Sequence, residues 1–525
     1  MREQGKRFRT KYGFQLLLFI FLSAFFLIAG HSGAVMFDDS GSYMRLRWQE
    51  GIMPVYQMLL LFNQWLFGDK FFLWAVVIEQ TFLAVFSILL LEETIRKKFG
   101  LRLAEGILIC IPALYPYTIE MPMAVMTQAV LTEGISYSIF YFFLSFLLKA
   151  VWRKHYGWFC GAFCMTLLLA ATRPQLQMLF GVCGVVFLYL VYMRGKKINR
   201  KKKVVCLLLG FGGCLAVSLC GMILFSGIVR GYRTVMQNDH PFYQFGLQVQ
   251  QPEEYRRLQE EKQQQTEPEE ETERVEEKPL VDKGYGGSQY VTLIFSRGMY
   301  EADYEDAALF EDSVLKGLYL ALYETVDAEK LRYAYAEEGL WMWKDVVGGI
   351  GKIGTVCDRV PSEYYVQYAP EIIKSQEYSD IRLSSLCQIG LTLIRVHFGR
   401  FLYHTLVMLP QAFISTVFFQ VAPLYMLCHL ITAFLYLSAL ALMIWGYWDV
   451  RARKEEAEMM ALVLGTNLVT VLVISLVFFG QQRYLVYTFG PFYIALYLLF
   501  RQLWRLRLRE ILRNRLLKGK KGSQE

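Results

Sequence analysis

The sequence predicts an all-α polytopic membrane protein, with about ten transmembrane helices and a small, mainly helical extracytoplasmic domain. Three observations carry this. The 525 residues are 55% hydrophobic and 16% aromatic, with a mean hydropathy of +0.30, too apolar for an ordinary soluble chain. Apolar stretches of roughly 20 residues recur, the length that crosses about 30 Å of hydrocarbon as a helix. These stretches are continuous rather than alternating, which excludes a transmembrane barrel, and short basic connectors separate them.

The basic connectors orient the chain, because Lys and Arg concentrate on the cytoplasmic side. Lys6, Arg7, Arg9 and Lys11 keep the N-terminus inside, and a first span over 14–35 carries the chain out. That apolar run is long for a cleaved signal peptide, so an uncleaved span is expected. Residues 51–68, with Pro54 near the start and Trp65 near the end, read as an interfacial helix or an amphipathic hairpin. The span 70–91 returns to Arg96, Lys97 and Lys98, and 103–117 exits near Pro116. The span 131–150 returns to Arg153 and Lys154, and 157–172 exits at Arg173-Pro174. The span 176–193 returns to the basic run from Arg194 to Lys203, and 204–229 exits again.

Residues 230–396 are expected outside. Their Glu- and Gln-rich part, 251–280, has too few apolar residues to fold and reads as disordered. Further on, Phe310, Val314, Leu315, Leu318 and Leu322 suit one helix face. The segment 398–419, interrupted by His404, Pro410 and Gln411, reads as interfacial or re-entrant. Spans over 421–447, 459–480 and 485–503 complete the ten and leave both termini inside. The chain therefore divides into a transmembrane module (1–229) with a first external loop (36–69), the extracytoplasmic segment (230–396), a second transmembrane module (397–503) and a basic cytoplasmic tail (504–525). The tail alternates Arg and Leu, as a helix on an anionic leaflet would.

The net charge of +8 forms no groove-like patch, so nucleic acid is not an expected partner. Most of the ten cysteines lie in apolar runs and read as small hydrophobes. Cys357 and Cys387 lie outside the spans, and their spacing does not decide whether they pair. His31, His240, His397 and His404 show no metal-ligand spacing and read as structural.

The chemistry-bearing residues gather at the outer ends of the spans. Phe37-Asp38-Asp39-Ser40-Gly41-Ser42-Tyr43 follows the first span and sets two carboxylates beside the membrane, where charge is costly to hold. Glu133, Arg173 and Gln175, and Arg483 and Tyr484 fall on the same side. Each has a structural alternative: Glu133 as a helix N-terminal charge, Arg173 as an interface anchor, Arg483 as a snorkelling side chain. Carboxylates beside arginines at a membrane surface suit sugar transfer from a lipid phosphate. The carboxylate acts as general base on an acceptor hydroxyl, and the arginine stabilises the phosphate leaving group. No P-loop or dinucleotide-binding glycine motif is present.

In this order of motifs the chain resembles the polytopic glycosyltransferases of the C superfamily, such as the dolichyl-phosphate-mannose protein mannosyltransferases and the aminoarabinose transferases. The matching parts are Phe37-Asp38-Asp39-Ser40, Met53-Pro54-Val55-Tyr56, Thr132-Glu133, Thr172-Arg173-Pro174-Gln175 and Arg483-Tyr484. The family's Thr-Glu-Pro is Thr-Glu-Gly here. The resemblance covers mainly residues 1–200 and 480–500. It implies Asp38 or Asp39 as the catalytic base, and Tyr43, Glu133, Arg173, Gln175, Arg483 and Tyr484 are the candidate substrate-binding residues beside it. It also implies an inverting reaction and a polyprenyl-phosphate sugar donor. The acceptor would be a cell-surface glycan, lipid or protein, at the outer face of a bacterial plasma membrane. Some such enzymes use a divalent metal and others do not, so a metal stays open. Two other readings compete: a polysaccharide polymerase or ligase using diphosphate-linked donors, and a transporter or lipid flippase. Against the last, ionisable residues sit mainly at span ends, with Glu79 the main exception.

Overall fold

The computed structural model describes residues 2–37, 39–44, 53–121, 124–195, 200–237, 240–253, 255–257, 289–339, 342–374, 378–418, 424–449, 451–477 and 482–521. Among them regular structure is helical, and the extended contact is a parallel bridge between Val35 and Ala129.

Seven helices are long and apolar enough to cross a membrane: Pro54–Phe99, Glu133–Arg153, Pro174–Met193, Gly210–Val235, Met426–Trp448, Lys454–Leu476 and Arg483–Leu508. Three shorter apolar helices, Gly13–Ala29, Leu103–Thr118 and Tyr156–Ala170, fall on the remaining expected segments. Several helices expose large side chains that water would penalise. Ile28 is 73% exposed, Ile223 70% and Phe434 70%. Contiguous apolar surface of this kind suits contact with lipid.

The chain opens with α1 (Arg2–Ala29), then a short α2 (Ser40–Met44) and α3 (Pro54–Phe99). Helix α3 joins the expected interfacial segment to the following span. Gly68 breaks its helical geometry at φ 68, a region that favours glycine. Then come α4 (Leu103–Leu114), α5 (Glu133–Arg153), α6 (Tyr156–Ala170), α7 (Leu179–Gly195), α8 (Arg200–Val235) and α9 (Pro241–Gln250). The main core is built from α1, α3, α4, α5, α6 and α7 together with the last two long helices, α17 (Lys454–Val477) and α19 (Phe489–Lys521). Helix α19 carries the last expected span and most of the tail as one helix of 33 residues.

At one end of this bundle, polar clamps join helices distant in sequence. Glu105 of α4 accepts from Arg501 of α19 at 2.5 Å and from Tyr497 at 3.0 Å. Lys98 reaches Glu455 at 2.9 Å, and Tyr189 donates to Glu458 at 2.5 Å. This basic end is opposite the Glu133 terminus of α5.

A second core joins α10 (Gln289–Tyr300), α11 (Ser313–Ala328), α12 (Met342–Tyr368) and α14 (Tyr378–Val396), the latter preceded by the short α13 (Pro370–Lys374). Leu315, Leu318 and Leu322 are buried along α11 and Val314 is half-buried, as their spacing predicts, whereas Phe310 lies before the helix in extended backbone and joins the same core from there. Helix α15 (Phe398–Val417), which is not among the seven long spans, adds Met408 to this core. Its His404 is buried against the Glu301 carboxylate at 2.8 Å, a structural role as expected. Arg297 lies 4.5 Å from the Phe401 ring and donates to Thr405. Helix α16 (Tyr425–Trp448) and the short α18 (Gln482–Leu485) complete the described elements.

Cys357 and Cys387 are both free thiols here. The expected disordered stretch 251–280 lies outside the described residues from 258 onward; residues 252–253 and 255–257 are helical.

Beside α15, Arg400 donates to Asp303 at 2.7 Å, as does the Tyr333 hydroxyl at 2.8 Å. Burial alone would raise the Asp303 carboxyl, but these bonds outweigh it and hold the group below its usual value. A depressed carboxylate stabilises the fold above its unfolded value of about 4, and loses that contribution as pH falls through the folded value. Arg400→Gln therefore lowers the unfolding temperature at neutral pH. The gap from wild type narrows below about pH 4. Circular-dichroism melts of both proteins across pH check this, and a gap that stays constant into strong acid would contradict it.

Candidate functional site

The site is assembled by two loops and two helix termini. After α1, the chain folds back on the loop preceding α5. Val35 N–H donates to the Gln128 carbonyl at 2.9 Å, and Val130 N–H to the Val35 carbonyl at 3.0 Å. The Gln128 amide then donates to the Gly33 carbonyl at 2.8 Å and to the Ser32 hydroxyl at 3.0 Å. Ser40 is buried and accepts from the Phe37 N–H at 2.8 Å, tightening the turn that carries Asp39. The acidic segment is thereby brought beside the Thr132-Glu133 start of α5.

Glu133 stands in the first turn of α5, where the helix dipole favours a carboxylate. It is 3% exposed. Its partner Arg173 precedes Pro174, and the pre-proline position forces extended backbone, φ −141° and ψ 114°. That extended residue turns the guanidinium onto Glu133, with Nη1 2.5 Å from Oε1. With the Gln175 amide oriented to satisfy both groups, its oxygen accepts from Arg173 Nε at 2.6 Å and Nη2 at 2.9 Å. The Arg173 guanidinium also lies 4.9 Å from the Tyr484 ring. Burial would lower its pKa, but Glu133 and the neighbouring phenols outweigh burial and raise it further. Arg173 is therefore a permanently charged group held between Glu133 and Gln175.

Arg483 is arranged differently. It is 30% exposed at the side chain and lies between two carboxylates, 3.4 Å from Asp39 and 3.9 Å from Glu133. It donates to the Tyr484 hydroxyl at 3.2 Å, and its carbonyl accepts from Tyr137 at 3.1 Å. Tyr43 packs edge-on against the buried Tyr56 at 5.5 Å. Burial pushes the Tyr43 phenol up to about 12, with the Glu133 carboxylate adding to the shift, so it is a neutral hydrogen-bonding group near neutral pH.

Of the residues selected from the sequence, Asp39, Tyr43, Glu133, Arg173, Gln175, Arg483 and Tyr484 thus converge. Asp38 lies outside the described residues. Near the same level, Tyr115 stacks on Phe489 at 3.7 Å, and the Tyr117 hydroxyl pairs with Ser138 at 2.9 Å. Sequence reasoning missed Tyr137, Tyr487 and Gln80. Tyr137 is one helical turn after Glu133, and Tyr487 three residues after Tyr484, so helical spacing was the available signal. Tyr487 pairs with Ser136 at 2.8 Å within the same polar cluster.

An apolar groove of about 600 Å³ adjoins the site. Ile135, two residues after Glu133, lies in its wall with Val55, Leu59 and Leu168. No basic or acidic group lines it.

Among the described residues, metal-ligand geometry occurs elsewhere, where Asp303, Asp306 and His397 offer ligand atoms within 4.8 Å of one another. His397 pairs with Asp306 at 2.7 Å, and Arg400 bonds Asp303 at 2.7 Å and His397 Nδ1 at 2.5 Å. Arg400 already supplies the positive charge of that cluster, which makes it a poor cation site.

Gly134 has a packing reason. A Cβ there would stand 1.8 Å from the Gln80 side-chain oxygen and 3.0 Å from the Met126 carbonyl. Gln80 is buried and ties the Thr127 and Ala129 carbonyls at 3.3 and 3.4 Å. Gly134→Ala should therefore cost about 1–3 kcal/mol of stability. Gln80→Ala in the same chain should recover part of it. Detergent-titration unfolding of the single and double variants measures both, and a neutral Gly134→Ala would refute this packing. No family model, curated protein or solved structure matches this chain.

Proposed function

We propose that the protein is an integral membrane glycosyltransferase. It moves a sugar from a polyprenyl-phosphate donor to a cell-surface acceptor on the extracytoplasmic face of a plasma membrane. In this reading about ten helices span the bilayer, both termini are cytoplasmic, and α10–α14 form the extracytoplasmic domain. The observation that carries the proposal is the placement of Arg483, a partly exposed cation shared by Asp39 and Glu133.

The two arginines divide the work. Arg173 is engaged by Glu133 and Gln175 and acts as a positioning residue. Arg483 stands 3.4 Å from Asp39 and 3.9 Å from Glu133, and an incoming phosphate with shorter, charge-assisted hydrogen bonds competes with these carboxylates for it. The polyprenyl chain lies along the groove beside Ile135. Once the phosphate occupies Arg483, Asp39 is released from its 3.4 Å contact and is free to turn to the acceptor. Asp39 then accepts the proton from the acceptor hydroxyl. The acceptor oxygen forms a bond to the anomeric carbon as the bond from that carbon to the phosphate oxygen breaks. The electron pair of that bond leaves with polyprenyl phosphate, whose charge Arg483 stabilises. Attack opposite the leaving group inverts the anomeric centre. Asp38, adjacent in sequence, is the second candidate base.

Transfer of radiolabelled hexose from polyprenyl monophosphate to envelope acceptors, with protein in nanodiscs, tests the proposal. Asp39→Asn and the Asp38→Asn/Asp39→Asn double variant should abolish transfer while remaining folded and inserted. Arg483→Gln should reduce turnover by about 10²–10³, the scale for losing one group that stabilises transition-state charge. Full activity in both single Asp variants and the double would overturn the assignment. Transfer from diphosphate-linked donors alone would favour a polymerase or ligase.

A further inference from the structure

The basic end of the bundle holds a second polar pocket, of about 550 Å³, between the ends of α3 and α5 and the start of α6. Lys97, Lys98, Lys149 and Arg153 line it, together with Trp152, Trp158, Thr94 and one carboxylate, Glu93. Two of the cations are neutralised, Lys97 by Glu93 and Lys98 by Glu455. Lys149 and Arg153 form no ion pair among the described residues. Both lie over the Trp158 ring, at 4.8 and 5.6 Å. The buried indole N–H of Trp152 has no acceptor among the described residues. The pocket therefore holds two cations in excess of its carboxylate, which is paired with Lys97, in a concavity walled by aromatic rings.

Its position in the bundle says what fills it. Lys149 follows Glu133 by 16 residues and Arg153 by 20, so they lie about 24–30 Å along α5, close to one hydrocarbon thickness. On α5, Ile135, Ile139, Phe142, Phe146, Lys149 and Arg153 recur at three- and four-residue spacing. They share one face, which runs from the apolar groove into the basic pocket. Phe146 borders both, lining the groove and lying 5.8 Å from the Lys149 ammonium. An occupant of this continuous surface has an anionic head at the level of the bilayer surface and apolar chains reaching toward its middle. We infer that this pocket binds the phosphate headgroup of an anionic phospholipid from the leaflet at the basic end, with the acyl chains lying on the Phe146 face. Juxtamembrane cations and aromatic walls at this depth favour such a headgroup over a zwitterionic one. This site does not depend on the sugar-transfer reading.

Native mass spectrometry tests the inference directly. Full-length protein is equilibrated in nanodiscs of phosphatidylcholine doped with phosphatidylglycerol, and the lipid retained on the released protein is counted. Wild type should retain phosphatidylglycerol in preference to phosphatidylcholine. Lys149→Gln should weaken that preference about fivefold, and Lys149→Gln/Arg153→Gln should lower it about fivefold again, as expected per basic side chain near a membrane surface. Circular dichroism matching wild type shows that the variants are folded, and the single variant keeps the test alive if the double is not. Unchanged phosphatidylglycerol retention in a folded variant would overturn the assignment. So would tight binding of inorganic phosphate or glycerol phosphate in pure phosphatidylcholine nanodiscs, which would make this a site for a soluble anion.

Discussion

The Glu133–Arg173 ion pair is the constraint on which the rest of the site depends. Both groups are nearly fully buried at the end of an apolar bundle, and neither charge is supportable there alone. Removing one partner of such a pair leaves an uncompensated charge, at a cost of about 3–5 kcal/mol. The pair ties the first turn of α5 to the pre-proline residue before α7. Through Arg483 it extends to the start of α18 and to the Asp39 loop, so four segments far apart in sequence are held together. A chain gains no stability from burying such a pair that apolar packing could not match. Its presence here holds a permanent positive charge next to carboxylates, the arrangement on which the proposed sugar transfer rests.

Much of this was legible in the sequence. Apolar runs announce their helices by length. Polar residues at the ends of successive runs are brought to a common level by the alternation of the spans. That is why Asp39, Glu133, Arg173 and Arg483 could be grouped without any view of their contacts. The lateral arrangement was not legible, because span lengths say nothing about which helix packs against which. The unequal burial of Arg173 and Arg483, and hence their different roles, depends on that arrangement. So does Gly134, which reads as a departure from the Thr-Glu-Pro pattern but is required by the Gln80 side chain behind it. The Val35–Ala129 bridge, which delivers the acidic loop, involves backbone groups and leaves no mark in residue identity.

The bundle is polar at both ends for different reasons. At the Glu133 end, cations and carboxylates balance and sit beside an apolar groove. At the opposite end, clamps such as Glu105–Arg501 and Lys98–Glu455 fasten helix termini, while Lys149 and Arg153 exceed the carboxylates around them. The same helix, α5, carries Glu133 at its start and Lys149 and Arg153 in its last turns, which also suits its dipole. A different face of α5, from Ile135 to Arg153, runs from the apolar groove to the basic pocket.

The most direct test of the central claim is a double-mutant cycle on Glu133 and Arg173. Unfolding free energies of wild type, Glu133→Gln, Arg173→Gln and the double variant are measured by detergent titration of the purified protein. If the pair organises the site, each single change costs about 3–5 kcal/mol and the double costs much less than their sum, giving a coupling of several kcal/mol. Additive losses, with coupling near zero, would mean that the two groups are not held by each other, and the account of the site built on them would fail.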